Sequence, residues 1–359
     1  MTPADRMKLL SQILLSRSSH ESLQDEDSIL LGAMTEQELT EIRRLADSHH
    51  VVVRTFPSLQ NRMTAAGDLR AAAWISDAME AEKTRIDRAL SSLEPICEAL
   101  GDAGKILVIK SLDHWPDLGN DLDLFADADP SDVVAIMQSR FKATTDKRSW
   151  GDRLANKWNF VVPGLPELVE VHVKRLGQTG EQTAIAKSLL ARSRTVTLNN
   201  RTFQTSSPED RFIISTLQRM YRHFYIRLCD IVDNAQLMQA NAIDYAYLKE
   251  LGQSAGIWPG AATYLTVISD YVKSYSGKEI PLPAMVTDDA RLRGDKIHFR
   301  DNFLRVPILP HSAALYASEL SQLVRNGELR NTLRLSLLPG LATAAALEFK
   351  LTGSDKGIW

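Results

Sequence analysis

Apolar positions recur at steps of three and four along most of the chain, and change to the two-residue alternation of strands mainly between residues 105 and 205. Residues 1–64 therefore predict short helices. Thr35-Glu-Gln-Glu38 has the form of a capping box, and Leu39, Ile42 and Leu45 give the helix it opens a buried side. Residues 51–56 fit a strand or a connector equally well. His49-His50 stands at a helix end, and neighbouring residues on a helix diverge, so an exposed terminus explains the pair better than a metal site. Residues 65–100 predict a long helix broken near Glu94-Pro95, with Gly101 and Gly104 supplying its end.

Two strand-like runs follow, 106–109 and 121–125, joined through Lys110-Ser111 and a short polar turn. Asp129-Pro130 then opens a helix carrying Val133, Val134, Ile136, Met137 and Phe141. Residues 158–162 and 167–174 flank a Pro-Gly-Leu-Pro turn and read as a hairpin. Val169, Val171 and Val173 share one face of its second strand, and Leu168, Glu170 and His172 the other. A further hairpin at 195–204 turns on Asn199-Asn200, a pair that tolerates positive φ.

Ser207-Pro208-Glu209-Asp210 starts a helix whose stripe runs Ile213, Leu217, Met220, Phe224, Leu228, Ile231, Ala235, Met238, which predicts one long buried helix. Helical spacing continues to about Leu351, except for a proline-rich basic passage at 281–310 that reads as loop with short strands. The tail GSDKGIW reads as polar and mobile. The expected fold class is α+β, a small mixed sheet flanked by N-terminal and C-terminal helical regions. The expected divisions are 1–64, 65–205 and 206–359.

At 359 residues the chain exceeds the usual size of a single core, in keeping with that division. A formal net charge of −3 argues against a bulk binder of long nucleic acid, though not against a local basic cleft. The only cysteines, Cys97 and Cys229, fall in helical pattern, which favours a reducing compartment over disulfides. The amino-terminal stretch lacks a signal peptide's apolar core, and no run approaches the roughly 20 apolar residues of a membrane span. A cytoplasmic location is expected.

The chemistry centres on Asp121 and Asp123, which one strand would project to the same side. Leu122, Leu124 and Phe125 embed the pair near a core, and Glu170 offers a third carboxylate from a later strand. Three hard oxygen ligands from two strands suit Mg²⁺ or Mn²⁺ held against a phosphate chain. Lys110-Ser111, Asn120-Asp-Leu-Asp-Leu-Phe125 and Val169-Glu-Val-His172 together resemble the polymerase-β-type nucleotidyltransferase superfamily. More closely, they resemble a bacterial family of uncharacterised nucleotidyltransferase-like proteins. Pro208-Glu-Asp210 and Tyr225-Ile-Arg-Leu-Cys-Asp230 stand where that family has a helix start and an Arg…Asp pair.

The resemblance covers roughly residues 85–250. It implies a nucleotidyltransferase palm with Asp121, Asp123 and Glu170 as catalytic metal ligands, Glu170 activating the acceptor hydroxyl. Lys110 and Ser111 would contact nucleotide phosphates. Ser111 replaces the family's glycine, and the turn is shorter and lacks its arginine. Arg148, Arg153 and Lys157 are the candidates for replacing that charge, against solvated loop positions. For His172 three places are open: beside a carboxylate, at the acceptor site or in the core. His223, Arg227 and Asp230 would share a second stripe of the long helix, lining a cleft or pinning two regions together. Asp233 and Asn234 read as solvated.

The expected activity is Mg²⁺- or Mn²⁺-dependent transfer of a nucleoside monophosphate from an NTP, ATP foremost, to an unidentified small-molecule or macromolecular acceptor, releasing pyrophosphate. The alternatives are an inactive binding or regulatory protein of the same fold and a kinase-like phosphotransferase.

Overall fold

A computed structural model describes residues 1–16, 34–307 and 310–352; the GSDKGIW tail lies outside them. The chain opens with helices α1 (Pro3–Leu15), α2 (Glu36–Ser48) and α3 (Val52–Ala65), and then α4 (Leu69–Gly101). Thr35 and Glu38 form the expected capping box on α2. Residues 51–56, open between strand and connector in the sequence, belong to α3. Its first amides are capped by a carboxylate far along the chain: Val53 and Arg54 donate to Asp117, at 2.7 and 3.3 Å. No local pattern encodes that cap. The break expected near Pro95 is absent, and α4 runs through it. Pro95 and Ser91 both lie on the exposed side, so the carbonyl that loses its amide partner faces water.

The sheet contains β1 (Lys105–Val108), β2 (Asp121–Asp127), β3 (Thr144–Thr145), β4 (Lys157–Val161), β5 (Leu168–Val173), β6 (Arg194–Leu198) and β7 (Arg201–Thr205). Helices α5 (Pro130–Phe141), α6 (Trp150–Ala155) and α7 (Thr183–Arg192) connect them. The order is β3-β4-β5-β2-β1-β7-β6, mixed in direction: β2 pairs parallel with β5 and antiparallel with β1. Both expected hairpins form, β4–β5 and β6–β7, the latter through Asn199 and Asn200 at φ 45° and 63°. The architecture is mixed α+β.

Alternation divides the sheet into two faces. Val108, Leu122, Leu124, Val169, Val171 and Val173 pack with Ile86, Leu90 and Leu93 of α4 in one core. Each such buried side chain contributes about 1.5–3 kcal/mol of transfer free energy. The other face carries Leu107, Ile109 and Phe125 into a second core and leaves the polar residues of β2 and β5 free to form a site.

That second core joins α1–α3 to the last third of the chain, so the two helical regions that the sequence separates share one interior. Ser11 and Tyr271 hydrogen-bond at 2.7 Å across it. The single long helix expected from 207 onward is interrupted. It comprises α8 (Pro208–Thr216), a widened π-type turn over Leu217–Arg222, a reversal at Phe224 (φ 54°), β8 (Tyr225–Ile226) and α9 (Leu228–Gln239). The apolar spacing survives the interruption because both helices bury a side in the same core.

Helices α10 (Tyr245–Ser254) and α11 (Trp258–Ser276) follow. Within the proline-rich passage lie the short helix α12 (Ala284–Thr287) and strands β9 (His298–Arg300) and β10 (Phe303–Arg305), with β10 between β8 and β9. Helices α13 (His311–Arg325), α14 (Leu329–Ser336) and α15 (Leu338–Thr352) end the described chain. Among the described residues, no helix is long and apolar enough to cross a membrane. Both cysteines are free.

Candidate functional site

A cavity of about 260 Å³ lies between the sheet and the segment that interrupts the helix. Its first wall begins where β1 ends. Ile109 is buried, the chain must reverse at once, and Lys110 adopts φ 61°, ψ −60° while the Ser111 amide donates back to the Ile109 carbonyl at 2.6 Å. This is a γ-turn of the strained hand on a residue with a side chain, a conformation that persists only where the surroundings hold it. The Ser111 hydroxyl supplies part of that hold. It accepts from the Asp123 amide at 2.7 Å and donates to the Asp121 carbonyl at 3.0 Å, locking the turn to β2.

Register then sets the side chains. Asp123 lies opposite Glu170 in the parallel β2–β5 pair, and Lys157 of β4 lies opposite His172. The Lys110 ammonium contacts Asp123 Oδ1 and lies 3.3 Å from Glu170 Oε1 and 3.4 Å from His172 Nε2. His172 Nε2 is 2.8 Å from Glu170 Oε1, and Lys157 reaches Glu170 Oε2 at 2.9 Å and Asp152 Oδ1 at 3.0 Å. Burial alone would raise the Glu170 pKa, but Lys110, His172 and Lys157 outweigh it and hold the carboxyl well below its ordinary range. Asp121 stands exposed at the cavity mouth. Partial desolvation, with the Asp123 and Glu170 charges nearby, pushes its pKa up to about 6.

The facing wall is basic. Arg219, Arg222 and Arg227 line it, with His223 and Tyr225 between them. Arg219 is buried and pairs with Asp230 at 2.6 Å. Asp230 also accepts the Arg227 amide at 2.8 Å, capping α9. The Arg227 guanidinium donates to His50 Nε2 at 2.7 Å. Burial and the surrounding cations, Arg222 foremost, depress His223 to about 2, so its imidazole is neutral at any ordinary pH. His50 is likewise driven well below its usual value, by burial and then by Arg227.

The structure thus brings Lys110, Ser111, Asp121, Asp123, Glu170, His223 and Arg227 to one cavity, with His172 behind the Lys110 ammonium. Several expectations require correction. The Ser111 hydroxyl is committed to the β2 backbone. Asp230 is buried and pairs with Arg219 rather than with the Arg227 side chain. His223, Arg227 and Asp230 do not share a helical stripe; the break in the helix gathers them. Asp233 and Asn234 are buried, and Asp233 holds Arg54 and His114, each at 2.6 Å. His49 and His50 are buried too. The Leu228 amide donates to His49 Nδ1 at 2.9 Å, while His49 Nε2 donates to the Asn302 carbonyl at 2.8 Å. Arg148 stacks on Trp158 at 3.9 Å, Arg153 lies over Trp150 at 5.6 Å, and neither lines the cavity. Lys157 does meet a site carboxylate.

Sequence reasoning missed Arg219 and Arg222. The available signal was a pair of arginines three apart beside an otherwise apolar stripe, ahead of His223 and Arg227.

Asp123, Glu170 and His172 place a ligand atom each within 4.8 Å of one another, with Asp121 outside that group at the mouth. Two carboxylates here fit a hard divalent cation in kind. The Lys110 ammonium satisfies the same two oxygens, so an ion bound there would displace it. Compared with known proteins, the chain matches no family model, no curated protein and no solved structure.

Proposed function

We propose that the cavity is the active site of a divalent-metal-dependent nucleotidyltransferase, which moves a nucleoside monophosphate from an NTP to an acceptor and releases pyrophosphate. One observation carries this reading: three carboxylates and a row of cations face each other across one cavity. Such a site can hold a metal on one side and phosphate oxygens on the other. Asp123 and Glu170 would hold Mg²⁺ or Mn²⁺, with Asp121 completing the set from the mouth. Bound there, the ion would neutralise phosphate charge and lower the pKa of the attacking hydroxyl. Glu170, held ionised by its neighbours, suits a ligand. Lys110, released from Asp123 and Glu170, would turn toward the phosphates. The cavity walls would contribute positioning and preset electrostatics.

A second reading, a non-catalytic binding protein of this fold, is favoured by the same ammonium, because Lys110 and Lys157 already satisfy Asp123 and Glu170. Calorimetry with ATP and Mg²⁺ or Mn²⁺, followed by pyrophosphate release over a panel of acceptors, separates the two. The enzyme reading expects Asp123→Asn to reduce release at least about a hundredfold, and Asp121→Asn to reduce it as well. Release untouched by both substitutions would remove the metal site, and no metal-dependent nucleotide binding by the wild type would favour the second reading.

A further inference from the structure

We infer that Arg219, Arg222 and Arg227 form a seat for the polyphosphate tail of a nucleotide, one that holds pyrophosphate without any metal ion. The nucleotide identity rests on the reading above; the anion seat itself does not.

Arg219 is matched by Asp230. Arg227 donates to a neutral imidazole, His50, and to the Tyr225 hydroxyl at 3.4 Å. Arg222 makes no ion pair or hydrogen bond among the described residues, and its Nε is buried without a partner. Three guanidiniums against one carboxylate leave two positive charges on this wall. Opposite them, Asp123 and Glu170 are engaged by Lys110 and Lys157, and Asp121 at the mouth is left as a single carboxylate against two positive charges. Like charges gathered at a cavity repel one another unless an anion enters, and His223, kept neutral by burial first and by these arginines second, adds no charge of its own.

The wall is also pre-arranged. The Tyr225 ring lies 5.5 Å from the Arg219 guanidinium and 5.7 Å from that of Arg227, and it packs on Phe303 at 4.3 Å. Tyr225 is fixed in turn by the β8–β10 pairing. Holding Arg219 and Arg227 before the ligand arrives reduces the ordering cost of binding. Planar guanidinium forks match phosphate oxygens in pairs, and arginine keeps its charge at every working pH. A diphosphate, with charge at both ends and many acceptors, fits such a row better than a single carboxylate does. The cavity's size suits a short phosphate chain rather than a polymer.

The test is calorimetric titration of the full-length protein with pyrophosphate in EDTA, repeated in the presence of ATP. The wild type should bind pyrophosphate, and ATP should compete with it. Arg222→Gln should weaken binding at least tenfold without lowering the melting temperature, since the side chain has no partner to lose, and Arg222→Lys should restore part of the affinity. Four results would each overturn the assignment: no binding in EDTA, wild-type affinity in Arg222→Gln, independent binding of ATP and pyrophosphate, or a melting temperature well below wild type in both variants. No turnover is involved, so a seat that binds in a protein that transfers nothing leaves the seat standing and removes only the enzymatic reading.

Discussion

On the sheet side of the cavity, Asp123 and Glu170 hang from strands paired residue for residue, and each meets a lysine. On the helical side, Arg219, Arg222 and Arg227 hang from a stretch where regular helix gives way to a π-type turn, a left-handed residue and a two-residue strand. On the regular wall Asp123 and Glu170 are matched by lysines, whereas on the irregular wall Arg222 has no counter-charge. Strand geometry brings side chains into opposition every second residue and so lends itself to pairing. The widened turn, the reversal and the short strand instead bring Arg219, Arg222 and Arg227 to one space, which concentrates like charge. A ligand therefore competes with existing partners on one wall and supplies a missing one on the other.

The largest effect should follow removal of the carboxylate that pairs with Arg219. Asp230→Asn leaves Arg219 buried without its counter-charge and weakens the cap on α9. The expected loss is about 3–5 kcal/mol of unfolding free energy, measured by urea denaturation. An unchanged midpoint would mean that the arginines need no anchor. On the acidic wall, Lys110→Met frees Asp123 and Glu170. Affinity for Mn²⁺ without nucleotide should rise about tenfold, or about 1.4 kcal/mol, by paramagnetic resonance titration. A fall would make Lys110 a support of the metal rather than its competitor.

The smallest effect belongs to Asp121, because water at this exposed position screens much of its interaction with the other carboxylates. Its folded-state pKa of about 6 lies above the ordinary 3.8, so the folded protein holds that proton more tightly than the unfolded chain does. Its contribution to stability is therefore greatest in acid and is lost as pH rises through about 6. Asp121→Asn should flatten the dependence of the urea midpoint on pH between about 4 and 6. An identical slope in both proteins would show that Asp121 is fully hydrated.

The acidic wall was legible in the sequence because strand alternation is local. Asp121, Asp123, Glu170 and His172 could be assigned to a face from their immediate neighbours, and Val169, Val171 and Val173 marked the opposite one. Asn199-Asn200 announced its turn for the same reason. The basic wall was not legible, because its parts depend on residues far away. The β8 strand that ends the π-type turn exists by pairing with Leu304. His50 meets Arg227 across 177 residues, and Asp233 is drawn inside by Arg54 and His114. A stripe of apolar residues at helical spacing reports which side is buried, not whether the helix is continuous, which is why Ile213 through Met238 read as one helix.

The core shared by the first helices and the last third of the chain bears on the order of events during synthesis. Strands β1 to β7 and α4 form a contiguous run, and their apolar residues can close upon one another as soon as about 205 residues have emerged. Helices α1 to α3 leave the ribosome before any of these, yet Ser11 waits for Tyr271 and His49 for Asn302, 253 residues further on. Helix α3 can dock with the sheet, through α4 and the Asp117 cap, whereas Ser11 of α1 and His49 gain these partners only after residues 271 and 302 have been made. Until those segments arrive, the sheet face that carries Leu107, Ile109 and Phe125 lacks part of its cover, and a chain stalled in that interval would present it to a chaperone.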